Sequence, residues 1–217
     1  MTLKQRSAKI VRALETAYPD AVCSLDYERP YELLISVRLA AQCTDARVNI
    51  VTRDLFAKFP TLESFAQSTP EAVEEIIRPC GLGKSKARDI VATAKKLIAE
   101  HGGVVPDTIE ELLKLPGVGR KTANLIVGDV YKKPAVVCDT HCIRITNLLG
   151  LVDSKNPDQV EKQLRNILPM EKSNDFCHRL VHHGRAVCKA RSPQCPLCCL
   201  ADLCNHASKQ KKQVSAS

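Results

Sequence analysis

Apolar residues recur at three- and four-residue spacing along nearly the whole chain, and that period commits a sequence to helices rather than strands. Segment 4–18, KQRSAKIVRALETAY, carries one apolar stripe. Segments 31–42, 45–59, 70–80, 85–102, 108–115, 120–131, 140–150, 157–168 and 174–188 repeat the pattern between short Pro, Gly or Thr breaks. Only 134–138, PAVVC, looks β-like. It is too short to build a sheet and reads as a buried connector. The pattern predicts an all-α protein of about ten helices with connections of a few residues. No long linker divides the chain, so any two lobes must pack together.

With 217 residues and 44% hydrophobic content, the chain can bury a sizeable core. Residues 1–10 carry Lys4, Arg6 and Lys9 with no long apolar run behind them, so no signal peptide is expected. No stretch approaches the roughly 18 apolar residues of a membrane span. A soluble, cytoplasmic, membrane-free protein is expected, and the lack of coiled-coil heptads suggests a monomer.

The net charge of +8 is lopsided. Residues 1–111 hold 15 Lys and Arg against 16 Asp and Glu, whereas 112–217 hold 17 against 8. A one-sided positive field points to a polyanion, nucleic acid first, although Lys209, Lys211 and Lys212 read as a frayed tail. Aromatics are 4% with no Trp. Single-strand binders stack bases on rings, so a duplex backbone is the better partner here.

Segment 111–130, ELLKLPGVGRKTANLIVGDV, contains a tight corner. One helix ends near Leu115, and Pro116 blocks its continuation. Gly117 and Gly119 allow backbone angles closed to side chains, and a second helix starts near Arg120. Amides at such a helix start, backed by the helix dipole, make an anion site. Arg120 and Lys121 add charge. Lys121 stands in the first turn beside Arg120, where dipole and neighbour both disfavour its ammonium form. From spacing alone it serves equally as a phosphate contact or a nucleophile. Asp139, eighteen residues later, reads as the N-cap of the helix at 140–150. His141 reads equally as a near-site or a surface residue.

The chain has 11 cysteines. Cys23, Cys43, Cys80, Cys138, Cys142 and Cys177 are scattered singly in apolar surroundings and read as small buried hydrophobes. The remaining five lie in 188–204, CKARSPQCPLCCLADLC. Clustered thiols in a reducing compartment more often bind metal than pair as disulfides. Four thiolates suit tetrahedral zinc and an iron–sulfur cluster alike. Cys199, directly after Cys198, is the odd thiol.

LPGVGRKTA at 115–123 resembles the helix–hairpin–helix of a DNA glycosylase superfamily. The likeness runs upstream through LLISVRLAAQCTDARV and GLGKSKA and downstream through VCDTHCIRITN to the cysteines, spanning residues 33–204. It is most specific to the endonuclease III family. That resemblance implies a two-lobed fold, with a helical-barrel lobe at 23–134 and a cluster lobe made of 1–22 and 135–217. Lys121 would face Asp139 across the fissure between them. The resemblance implies removal of oxidised pyrimidines from damaged or abasic double-stranded DNA. Lys121 would attack C1′ and form a Schiff base, Asp139 would stabilise charge on the sugar, and β-elimination would cut 3′ to the site. It assigns Gln42 and Leu82 as residues that fill the space left by the flipped nucleotide. The anion site read from Gly117, Gly119 and Arg120 would then take DNA phosphate, and Lys84, where this chain departs from many family members, would add a phosphate contact of its own. The six-two-five spacing of Cys188, Cys195, Cys198 and Cys204 resembles the family's [4Fe–4S] ligand set. A cluster there would hold Lys189 and Arg191 against DNA. Nucleoid association would follow. The family's adenine-specific relatives lack the lysine and use a carboxylate on an earlier helix, and LLISVRLAAQ has none. Two rivals remain at this point: a water-using glycosylase that makes no strand break, and a non-catalytic DNA-binding module with a zinc tail.

If the 189–194 loop grips phosphate, the slope of log affinity for duplex DNA against log salt should flatten by about 1.8 when Lys189 and Arg191 both become Ala. Filter-binding titrations of both proteins across a salt series check this, and an unchanged slope would place the loop off the DNA.

Overall fold

The computed structural model describes residues 1–208; the tail with Lys209, Lys211 and Lys212 lies outside the described residues. Eleven α-helices and four single-turn 3-10 helices form its regular structure. No strand occurs among the described residues, so the fold is all-α. Two compact units emerge. One is Cys23–Lys132, and the other joins Met1–Val22 to the chain from Lys133 onward. The change of unit follows Lys132, which turns the chain at φ 54 two residues before the expected boundary.

The Cys23–Lys132 unit contains α2 (Pro30–Leu39), α3 (Asp45–Lys58), α4 (Leu62–Gln67), α5 (Pro70–Ile77), α6 (Gly83–His101), α7 (Ile109–Leu112) and α8 (Arg120–Asp129). Thr44, Thr61, Thr69 and Thr108 each accept a hydrogen bond from a backbone N–H of the helix they precede. Such caps satisfy donors that the helix itself cannot. Pro30 and Pro70 occupy first positions, where a missing N–H costs nothing. Gly102 ends α6 in the left-handed region at φ 59. Helix α2 is the core element: Tyr31 to Val37 and Leu39 are all buried, and it packs on α3, α6 and α8.

Helix α4 is not evident from spacing. It has six residues and two buried anchors, Leu62 and Phe65, too few to display a period. Phe65 is nonetheless the hub of the unit's rings, with Phe59, Phe56 and Tyr31 centroids 5.1, 6.3 and 6.5 Å away. Segment 70–80 also departs from one continuous helix. Pro79 has no N–H to continue the helical ladder, so α5 stops at Ile77 and Arg78–Cys80 tightens into a 3-10 turn.

The second unit is discontinuous in sequence. It holds α1 (Leu3–Ala17), α9 (Thr140–Leu149), α10 (Pro157–Ile167) and α11 (Ser173–Ala186). Helix α1 packs on α10 and α11, and α11 on α9. Lys172 pairs with Glu15 at 2.6 Å, the Arg179 Nε donates to the Tyr18 carbonyl at 3.2 Å, and the Tyr18 hydroxyl meets His183 Nδ1 at 3.0 Å. At Gly184 any Cβ would collide with the His141 ring, so α9 and α11 meet where α11 has no side chain. Residues 135–138 form the expected irregular, buried connector. Of the six scattered cysteines, Cys80, Cys138, Cys142 and Cys177 are buried, but Cys23 and Cys43 are only half-buried. Both lie in irregular chain outside helices. Even so, burial pushes the Cys23 thiol up to about 12.

Candidate functional site

The Pro116–Gly119 corner is fixed from two sides. Thr93 on α6 donates its hydroxyl to the Pro116 carbonyl at 3.0 Å. Arg38 on α2 pairs with Asp89 on α6, its Nε and Nη2 each 2.7 Å from the same carboxylate oxygen. Gly117 lies directly on that pair. It stands at φ 70, and a Cβ there would come 2.6 Å from Asp89 Oδ2 and 2.7 Å from Arg38 Nε. Gly119 is different. Its φ is −101, open to any residue, and a Cβ there would meet nothing within 4 Å. Gly117 is therefore needed for packing, whereas bareness at Gly119 leaves room for something outside the chain.

Helix α8 begins at Arg120 with Gly119 as its N-cap and no side-chain cap. Its first-turn amides have no partner within the helix and carry the positive end of the dipole. Arg120 and Lys121 are exposed there, while Ala123 through Asp129 are buried and anchor the helix. Lys121 thus projects from a rigid helix start, beside a backbone that favours anions.

Gln42 and Leu82 share an unusual backbone. Among the described residues only three non-glycines have positive φ, and these are two of them, at 60 and 52. Left-handed backbone costs a residue with a Cβ about 1–2 kcal/mol, and such strain concentrates at functional sites. Both side chains are exposed, Leu82 by 53%, although leucine gains nothing in water. Lys84 is exposed two residues along, in the start of α6. Helix α2 carries one buried carboxylate, Glu32. It is committed to capping, accepting from the Glu28 and Arg29 amides at 2.8 and 3.1 Å and from the Arg29 guanidinium at 2.8 Å.

Asp139 belongs to the other unit. It caps α9, accepting from the Cys142 amide at 2.7 Å; its carboxylate stays half-exposed beside the exposed Thr140. His141 is held inside its unit between Gly184 and Arg144, whose Nη2 lies 3.4 Å from its Nδ1.

Cys188, Cys195, Cys198 and Cys204 line a single pocket walled by Leu148, Val187, Pro193 and Ala207. Cys199 is exposed and takes no part in it. Polar groups surround the sulfurs: Arg144 Nη1 lies 3.6 Å from Cys188 Sγ, and the Leu200 amide and His183 Nε2 each lie 3.4 Å from Cys198 Sγ. Burial pushes the Cys198 thiol up to about 11, so a bound metal must take the place of its proton. Four thiols around an apolar pocket suit a tetrahedral zinc and an iron–sulfur cluster alike. Lys189 and Arg191 are exposed on the loop between the first two thiols. The Lys189 and Gln194 amides both bond to the Val187 carbonyl at 3.0 Å, which closes that loop.

Three supporting residues were not identified from sequence. The Arg38–Asp89 pair has no local signature. Lys86 does have one: it stands in register with Ile90, Ala94 and Leu97 on the buried face of α6, a place where a lysine must find partners.

Comparison with known proteins gives a consistent result. Residues 35–170 match the model of the HhH-GPD superfamily of base excision DNA repair proteins. Endonuclease III of Synechocystis sp. (strain ATCC 27184 / PCC 6803 / Kazusa) is 42% identical over 205 residues, 94% of each chain. Endonuclease III of Bacillus subtilis (strain 168) is 42% identical over 197 residues, 90% of each. The solved structure of a trapped endonuclease III–DNA covalent intermediate, an estranged-adenine complex, superposes with a TM-score of 0.90 at 42% identity. It covers 97% of this chain and 100% of that one.

The two corner glycines should separate experimentally. Gly117→Ala should lower urea-unfolding stability by about 1–3 kcal/mol through strain and collision. Gly119→Ala should stay within about 0.5 kcal/mol of wild type yet weaken duplex binding in a fluorescence-anisotropy titration. Equal stability losses would show that both glycines serve packing alone.

Proposed function

The chain belongs to the HhH-GPD superfamily of base excision DNA repair proteins, in its endonuclease III branch, and from that premise we propose that it excises oxidised pyrimidines and cleaves the DNA strand through Lys121. The observation that carries this is the placement of an exposed lysine in the uncapped first turn of α8, in a chain whose fold matches a trapped covalent endonuclease III–DNA intermediate.

The chemistry follows from the residue types. The neutral Lys121 amine places its lone pair on C1′ of the damaged nucleotide, and the glycosidic bond pair leaves with the base. The amine gives up a proton, the sugar ring opens, and C1′ and Nζ are joined as an iminium. Loss of a C2′ proton then expels the phosphate on C3′ and cuts the strand on the 3′ side. Asp139 offsets the positive charge that grows on the sugar and helps move protons. Arg120, Lys84 and the bare backbone at Gly119 hold phosphates on either side. Damaged duplex and abasic DNA are the proposed ligands.

Reaching C1′ requires the nucleotide to leave the stack, at a cost of a few kcal/mol. Exposed Gln42 and Leu82 are suited to offset it, one by hydrogen-bonding the orphaned base and the other as an apolar wedge.

Cys188, Cys195, Cys198 and Cys204 would hold a [4Fe–4S] cluster. Such a cluster would supply a redox-active cross-link for the loop, and no excision step is routed through it. The chain's own role there is to present Lys189 and Arg191 in a fixed loop.

Borohydride trapping tests the nucleophile. Wild-type protein on duplex DNA with one oxidised pyrimidine should give a covalent adduct, which Lys121→Ala abolishes. No adduct from cluster-loaded wild type on that duplex or on an abasic one would sink the lysine mechanism. Iron and acid-labile sulfide measured on purified variants test the ligand set. Cys199→Ser should keep full iron content, and Cys198→Ser should lose most of it. Stoichiometric zinc in place of iron would overturn the cluster assignment.

A further inference from the structure

A single buried ammonium links the two strained turns. Lys86 is fully buried, and its Nζ lies 2.8 Å from the Leu39 carbonyl, 2.7 Å from that of Ala41 and 2.9 Å from that of Cys80. An amine has two N–H donors and an ammonium has three, so three carbonyl partners specify the protonated form. A charged lysine buried without a carboxylate partner would be costly. These carbonyls offset that cost, since they belong to the C-terminal end of α2 at Leu39, the turn just after it at Ala41, and the end of the Arg78–Cys80 turn, where helices leave acceptors unpaired and the dipole favours cations.

The positions of those carbonyls are informative. Ala41 directly precedes Gln42, and Cys80 stands two residues before Leu82. Lys86 itself sits in the first turn of α6, with its own amide bonded to the Leu82 carbonyl at 3.1 Å. One residue therefore holds the backbone just before each of the two left-handed, exposed side chains. Left-handed non-glycine residues persist only where the surroundings over-determine them.

We propose that Lys86 is a positioning residue for base extrusion, its ammonium setting the separation and aim of Gln42 and Leu82 as they enter the duplex. This rests on the reading of those two residues as inserting groups. Lys86 touches no substrate. It acts through carbonyls, so it should govern the extrusion step while leaving phosphate contacts alone.

The test is a double-mutant cycle under single-turnover conditions on duplex DNA with one oxidised pyrimidine. Lys86→Met should slow base release about tenfold, while affinity for undamaged duplex changes less than about twofold. In a Gln42→Ala, Leu82→Ala background the same change should slow release less than about twofold further. A 2-aminopurine opposite the lesion should brighten less on binding Lys86→Met than on binding wild type, which reports the insertion directly. Circular dichroism and active-site titration by borohydride trapping set the folded fraction, so partial unfolding is corrected for. A full tenfold loss in the doubly substituted background would overturn the proposal, because Lys86 would then act on folding alone. So would wild-type rate and fluorescence in Lys86→Met. If wild type itself releases no base, the underlying function fails instead, and the two outcomes cannot be confused.

Discussion

Three segments of the Cys23–Lys132 unit converge on the ion pair between Arg38 and Asp89. Helix α2 supplies the guanidinium, α6 the carboxylate, and the corner at Gly117 lies against both so tightly that no side chain fits. Two nitrogens on one carboxylate oxygen fix the guanidinium in orientation as well as distance. Because α8 starts three residues after Gly117, the direction of its first turn, and so of Lys121, descends from that contact. The chemistry needs one exposed amine aimed from a rigid support, and the unit provides it by burying α8 from Ala123 onward.

Most of the helices were legible because apolar period, threonine caps and proline starts agree with one another along the chain. Helix α4 was not, since six residues show no period and its importance lies in where Phe65 ends up. The corner was legible as a corner, but its two glycines looked equivalent in sequence. The folded structure distinguishes Gly117, left-handed and pressed on an ion pair from two other helices, from Gly119, where an added Cβ would meet nothing. Gln42 and Leu82 gave no hint of left-handed backbone, because that conformation is enforced on them by neighbours rather than chosen by glycine. Lys86 was legible in principle: a lysine in phase with Ile90, Ala94 and Leu97 contradicts its helix's own pattern, and such contradictions tend to mark function.

The second unit solves a different problem. A short thiol-rich loop has no core of its own, so its shape must come from what surrounds its sulfurs. Arg144 from α9, His183 from α11 and the Leu200 amide approach them. His183 is in turn held by Tyr18, at the end of α1. Burial and the nearby Arg144 both depress the basicity of His183, which suits a neutral ring beside sulfur. The loop is thus connected, through one imidazole, to the far end of the sequence.

That connection has a consequence for how the molecule is made. Helix α1 is made before its packing partners α10 and α11, which come more than 130 residues later. The intervening unit is contiguous and can fold while synthesis continues. Helix α1 must wait with its apolar face uncovered, and the thiol loop emerges after every other helix it depends on. Assembly of the cysteine loop is therefore a late event in biogenesis. A nascent chain that stalls before that point would carry a finished lysine-bearing unit and an orphaned first helix, which is a ready target for chaperones and proteases.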